Sequence, residues 1–364
     1  MPYKYPVYQP SLNGNEKKYV NECLESTWIS SKGKFISKFE SKFARYTNIK
    51  YAVAVPNGTI ALHLALLTLG IGKGDEVILP TLTYVASANS VTYTGAKAVF
   101  VDSLHGTWQI DPADIKKKIT KSTKAIMPVH LYGFPSDMKV IQKIARENNL
   151  FIVEDCAEAF GTKLNGVHIG NFGNIAAFSF FGNKTITTGE GGMVTTNSKK
   201  LFQLATRIKG QGLAKNREYW HDLVGYNYRM TNICAAIGLA QLERANKIIS
   251  KKRQIAEWYY DFLNDLPLEF HKEIKNVFHS YWMVNILVNN YRDRDKLRDH
   301  LNKKGIETRP LFFPIHTMPI YKKEGYKFPA AEDIASRGIT LPSYPGLSKE
   351  DVIFISNKIR DYYN

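Results

Sequence analysis

A single lysine, Lys184, stands between an apolar run, Ala176 to Phe181, and a glycine-rich turn, within the stretch Phe178 to Met193 (FSFFGNKTITTGEGGM). Gly182 and Asn183 precede it, and Gly189 to Gly192 lead into a second apolar run, Met193 to Thr196. An ammonium held at the end of a buried strand loses hydration, so its pKa falls. The neutral amine is then the nucleophile that forms a Schiff base with a carbonyl. Taken alone, the stretch reads more simply as a surface lysine in a loop between two strands, and partners elsewhere in the chain must decide.

Two other stretches supply candidate partners. In VEDCAEAFG, the strand-like run Phe151 to Val153 is followed by Glu154 and Asp155. Successive strand side chains point to opposite faces, so the two acids cannot both look into one site. Asp155, just past the apolar run, is the one expected in a buried pocket. A carboxylate there needs a cation, and a protonated pyridine nitrogen is one; an acid capping the following helix is an equal alternative. The third stretch joins a strand, Tyr51 to Val55, through the turn Pro56 to Thr59 to an apolar helix, Ile60 to Leu69. The free N–H groups of that first helical turn, approached closely at Gly58, make a phosphate site, although many α/β turns look similar. His63, inside the apolar helix, reads as a core histidine.

The elements that must position these residues alternate. Glu76 to Leu79, Ala98 to Val101, Ala125 to Val129 and Phe151 to Val153 are short apolar runs separated by helical or turn sequence such as Asp137 to Asn148. This predicts an α/β fold with a mostly parallel central sheet, covered on both faces, binding its ligands at the carboxyl ends of the strands. The informative residues fall there: Thr81, Tyr84 and Ser87 after one strand, His130 after another, Asp155 and Glu158 after a third. Upstream, Asn15 to Glu25 and Gly33 to Tyr46 read as helices, the second with Phe35, Phe39 and Phe43 one turn apart. Between them the polar loop STWISSKG carries Trp28, as a lid over a ligand or as a packing plug. After Thr196 the chain turns helical. The aromatic and basic loop GLAKNREYWHDLVGYNYRMTN then intervenes before the helix Ile233 to Ala245, and such a loop orders only against another surface, for example a second subunit. The expected division is 1–248 for the N-terminal segment and large domain and 249–364 for a smaller α+β domain. The latter holds a strand, Tyr281 to Val288, a helix, Arg292 to Lys304, and a proline-stiffened loop, ETRPLFFPIHTMP, whose Arg309 and His316 could reach back over the site.

Composition narrows the function. At 364 residues the chain exceeds a single core. Cys23, Cys156 and Cys234 are far apart and form no CxxC pair, which argues against a disulfide framework or a zinc site, and no metal is expected. No apolar run is long enough to span a bilayer and the start, MPYKYPVYQP, lacks a signal-peptide core, so a soluble cytoplasmic protein without a membrane partner is expected. Basic residues exceed acidic ones by 49 − 33 = 16, but they are dispersed over helix-like stretches. Solvated faces, with a small anionic substrate as a second contributor, explain them better than nucleic acid does. No strand-and-GxGxxG unit and no GxxxxGKS/T loop is present, which speaks against nicotinamide cofactors and nucleotide hydrolysis.

NGTIALHLAL, VEDCAEAFG, FSFFGNKTITTGEGGM and GYNYRMTN, in this order and spacing, resemble the sugar-nucleotide aminotransferases of the DegT/DnrJ/EryC1/StrS family, and the likeness runs over nearly the whole chain. The resemblance implies the aspartate aminotransferase type fold (fold type I) with pyridoxal 5′-phosphate (PLP) as cofactor. By it, Lys184 carries the cofactor and acts as acid and base, and Asp155 keeps the pyridine nitrogen protonated. Glu158 lies near the ring hydroxyl, where many relatives have glutamine, and Tyr84 stacks on the ring. Gly58, Thr59 and Ser179 cup the phosphate. Asn227 reaches the same phosphate from the other subunit of a homodimer with shared active sites. A 3-dehydratase in the family has histidine at the lysine position, so Lys184 implies transamination, with L-glutamate as donor and a 4-ketosugar nucleotide as acceptor. For the acceptor's diphosphate the candidates are Arg229 and Arg309, with His316 and Trp28 beside them; Arg229 could equally be a structural partner across the dimer. A GDP-linked sugar is expected first and a UDP-linked one second, in surface polysaccharide synthesis. A non-catalytic sugar-nucleotide-binding protein on the same fold is the alternative of another class.

Overall fold

Alternation of β-branched runs with apolar helices puts a seven-stranded sheet at the centre of the computed structural model, which describes residues 3–364. Its strands are β1 (Tyr51–Val55), β2 (Glu76–Pro80), β3 (Lys97–Val101), β4 (Thr123–Ile126) and β5 (Phe151–Asp155), then, beyond the two-residue strands β6 (Lys163–Leu164) and β7 (Val167–His168), β8 (Ile175–Ser179) and β9 (Gly192–Thr196). The order is β1-β9-β8-β5-β4-β2-β3. All pairs from β8 to β3 are parallel, while β9 lies antiparallel to both β8 and β1. The mostly parallel sheet predicted from the sequence is therefore present, with β9 as its one reversed strand. The reversal follows from the connection: the segment between β8 and β9 forms no helix that could cross over the sheet, and β9 returns beside β8. That return carries Lys184.

Two helices precede the sheet, α1 (Glu16–Glu25) and α2 (Lys34–Thr47), and a third, α3 (Gly58–Thr68), follows β1. Phe35, Phe39 and Phe43 of α2 are buried as their spacing predicts. Phe43 meets Phe178 edge-on at 5.1 Å between ring centres, and Phe39 lies 5.2 Å from Phe180. Aromatic packing of this kind clamps the strand end before Lys184.

A second sheet, fully antiparallel, has the order β10-β12-β14-β13, from Leu268–Phe270 (β10), Val284–Val288 (β12), Arg309–Pro310 (β13) and Gly338–Leu341 (β14); β11 (Val277–Phe278) pairs instead with β6. The helix Ala245–Leu263 runs across the expected division at 248/249. The first described residues also join this second unit. Tyr5 exchanges backbone bonds with Gly305 and Glu307, Ser343 N–H donates to Val7, and Tyr5 is buried with the C-terminal core.

Several boundaries differ from the sequence reading for local reasons. β4 stops at Ile126 because Pro128 has no N–H to give, and pairing with β5 resumes only as a bridge between Val129 and Asp155. β8 ends at Ser179, leaving Phe181 exposed. The helix expected over Ile233 to Ala245 spans Asn232–Glu243 and breaks at Arg244.

Candidate active site

The amino end of α3 is built by Asn57, whose side chain accepts from Ile60 N–H at 2.9 Å and caps the helix. Gly58 and Thr59 then open the first turn with N–H groups that no helical carbonyl can take. Ser179, at the end of β8, lies against them. A Cβ on Gly58 would sit 2.7 Å from the Ser179 Cβ, which is why glycine is needed there. Gly58→Ala is expected to cost about 1–3 kcal/mol in denaturant unfolding through overpacking, and to weaken retention of an anion at this helix end.

Asp155 ends β5 with its side chain buried. One carboxylate oxygen accepts from Ser87 Oγ at 2.8 Å, the other from Ala157 N–H at 3.1 Å. Burial raises its pKa, opposed by these two bonds and by the charges of Lys184 and His130. The Ala157 contact closes a turn, since no helix follows at once. Glu154 looks the other way, as strand alternation requires, and accepts from the N–H groups of Gly170, Phe172 and Gly173. His130, Glu154 and Cys156 lie close enough to suggest a metal triad. His130 Nδ1, however, already accepts from Ser136 N–H and its Nε2 bonds Glu154, so the group organises the loops behind β5.

Lys184 is held at its backbone, where N–H donates to Phe181 and the carbonyl accepts from Tyr8 Oη. Its amine lies 3.9 Å from a Glu158 carboxylate oxygen and 3.7 Å from the ring centre of Trp282. Burial lowers the lysine pKa, while Glu158 and Asp155 raise it. Burial raises Glu158 as well, against Lys184 and the Tyr132 N–H that donates to it at 2.8 Å.

These groups surround one cavity of about 490 Å³. Gly58, Thr59, Tyr84, Asp155, Glu158, Ser179, Lys184 and Arg309 all line it. Arg309 donates to Glu307 at 3.1 and 3.2 Å. His316 does not line it, which corrects the sequence expectation: its ring is buried, Nδ1 meets Thr81 Oγ1 at 2.8 Å and Nε2 meets Glu332 at 3.1 Å, so both nitrogens are taken up by side chains behind the site. Trp28, Asn227 and Arg229 also lie outside the cavity lining of this chain. All three are exposed, and Arg229 Nε donates to Asn227. His63 is buried against Tyr228, as a core histidine should be.

Sequence reasoning missed Trp282 and Phe312, which enter the cavity from the C-terminal unit, and Tyr8, which holds the Lys184 carbonyl. The only local signal at Trp282 is an aromatic before a strand, and nothing in the chain pattern ties it to Lys184.

The donor set suits PLP. A buried amine suits an aldehyde, a buried carboxylate without an ion-pair partner among the described residues suits a protonated pyridine nitrogen, and a tightly packed helix start suits the phosphate.

Comparison with known proteins gives the same direction. Residues 10–360 match the family model for the DegT/DnrJ/EryC1/StrS aminotransferase family. The GDP-perosamine synthase of Escherichia coli O157:H7 is 61% identical over 359 residues, covering 99% of this chain and 98% of that protein. The GDP-perosamine synthase of Vibrio cholerae is 50% identical over 363 residues, covering 99% of each. Among solved structures, S. venezuelae DesV in complex with a ketimine intermediate superimposes with a TM-score of 0.93 at 32% identity, covering 100% of this chain and 99% of that one.

Proposed function

The chain belongs to the DegT/DnrJ/EryC1/StrS aminotransferase family and is a PLP-dependent aminotransferase, and from that premise we propose that it moves the amino group of L-glutamate to C4 of GDP-4-keto-6-deoxy-D-mannose, giving GDP-perosamine and 2-oxoglutarate. The meeting of Lys184, Asp155 and the α3 amino end in one cavity carries the chemistry. The 61% identity to a GDP-perosamine synthase supports the choice of sugar.

Bound in this cavity, PLP supplies an aldehyde for the amino group and a ring that accepts the electrons of the deprotonated carbon. Lys184 Nζ would hold the cofactor between turnovers. Once free, it would take the proton from the glutamate α-carbon and later deliver one to the ketosugar carbon that receives the amine. Its burial lowers its pKa and so favours the neutral amine that a base must be. Asp155 holds the ring-nitrogen proton, and Ser87 and Ala157 fix its carboxylate. Gly58, Thr59 and Ser179 would hold the phosphate and Tyr84 would cover the ring, while Glu158 sits beside the amine.

The substrates are anions, and Arg309 is the guanidinium in the cavity wall. In our reading the chain works as a homodimer in which Asn227 and Arg229, exposed on one copy together with Trp28, complete the phosphate and diphosphate sites of the other. No helix among the described residues is long and apolar enough to cross a membrane, and two of the three cysteines are buried thiols, which suits work in the cytoplasm on precursors of surface polysaccharide such as O-antigen.

The test is a paired assay with L-glutamate and either GDP-4-keto-6-deoxy-D-mannose or UDP-4-keto-6-deoxy-D-glucose. We expect kcat/KM for the GDP sugar to lead by roughly 10²-fold or more. Equal or reversed preference, with UDP-viosamine as product, contradicts this choice of acceptor.

A further inference from the structure

We propose that Trp282 is a positioning residue that seats the amine of Lys184 whenever that amine is free, holding it as an ammonium between its ring face and the carboxylate of Glu158. The proposal rests on the aminotransferase reading above, in which Lys184 is free of the cofactor during each half-reaction and must stay within reach of the reacting carbon while it takes up and gives back a proton.

Trp282 is 4% exposed and sits just before β12, in the C-terminal unit. Its ring face lies 3.7 Å from Lys184 Nζ, and its Nε1 donates to the carbonyl of Asn183, the residue before the lysine, at 2.7 Å. One side chain thus grips both the amine and the turn that carries it. The ring is itself fixed by stacking on Tyr132, 5.9 Å away and nearly parallel. Tyr132 in turn orients Glu158 through its N–H. A cation over an indole face, shielded from water, is stabilised as a cation. The charged and titratable groups facing the amine are Glu158 at 3.9 Å, Asp155 deeper in the cavity, and Tyr84, Arg309 and Glu190 in its wall, with Tyr8 at the lysine carbonyl. Glu158 and Asp155 favour the ammonium, burial opposes it, and the indole face adds to the first side.

The test uses holoenzyme converted to its pyridoxamine phosphate form by L-glutamate alone, so that Lys184 is free. Isotope-labelled lysine is titrated by NMR, the Lys184 signal being assigned by its loss in Lys184→Ala. In Trp282→Leu the amine pKa is expected to fall by about one unit, and in Trp282→Phe, which keeps a weaker ring face but loses the Nε1 donor, by roughly half as much. The acid limb of the single-turnover rate with the ketosugar should move down by the same amounts, with KM for the sugar nucleotide within about twofold of the parent, a split that a merely structural role would not give. An amine pKa within about 0.2 unit of the parent, a rise, or an equal fall in the two variants overturns the proposal. Should the leucine variant not fold, the phenylalanine variant decides alone, by a fall or its absence. If the parent forms no pyridoxamine phosphate with glutamate, the choice of donor fails and not this proposal, and enzyme loaded directly with pyridoxamine phosphate gives the free amine for the same titration.

Discussion

Lys184→Ala abolishes transamination, with turnover falling by at least about 10⁴-fold, the upper range for loss of a positioned acid and base. The size of the effect follows from the cavity having no substitute: among the described residues lining it, Lys184 is the only lysine, and the other cation, Arg309, does not deprotonate. The fold should survive. The lysine backbone is held by Phe181 and Tyr8, contacts that alanine keeps. Without the ammonium, Glu158 loses the charge that lowers its pKa and is expected to take up a proton, which avoids an unpaired buried anion. Single-turnover absorbance of the cofactor, with unfolding followed in parallel, checks both halves: a dead enzyme with nearly unchanged stability, still able to hold pyridoxamine phosphate non-covalently.

Asp155→Asn should lower kcat by about 10²–10³-fold, the scale of removing a preorganised electrostatic partner from a buried site. Asparagine keeps the shape and can still accept from Ser87 or Ala157, but it cannot hold a proton on the ring nitrogen. Stability should move the other way in the cofactor-free protein. Burial raises the folded-state pKa of Asp155 above its unfolded value, so the folded protein binds the proton more tightly. Stability therefore falls as pH rises from the unfolded pKa through the folded one, and the penalty persists above that. The asparagine variant lacks the penalty. Cofactor-free Asp155→Asn is thus expected to be the more stable protein at neutral pH, with the gap closing as pH falls through the raised value into the ordinary carboxylate range. Urea unfolding across that range checks the sign, and equal stability at all pH values would show that Asp155 carries no burial penalty.

The sheet was legible because its strands are short β-branched runs bounded by turn residues. Lys184, in the turn beyond β8, and Asp155, at the end of β5, stood out by their place after apolar runs, but only the family resemblance set them above a surface lysine and a helix cap. The same logic separated Asp155 from Glu154 by strand alternation alone. What could not be read was contact between distant segments. Trp282 reaches Lys184, and Tyr8 reaches the same turn, only because the C-terminal sheet and the N-terminal residues pack beside the first sheet. His316 was misread for a related reason. A histidine in a proline-stiffened loop looks the same in sequence whether it faces the cavity or, as here, Thr81 and Glu332 behind it. The break at Arg244 was hidden too, since apolar and helix-favouring residues continue on both sides of it.

Borohydride reduction of the purified, yellow enzyme followed by peptide mapping tests the central claim most directly. The cofactor should be fixed to the nitrogen of Lys184. The chain has a second buried lysine with a depressed pKa, Lys252 at about 7, which donates to the Ser343 carbonyl away from the cavity lining. Cofactor on Lys252, on any other lysine, or on none would contradict the assignment.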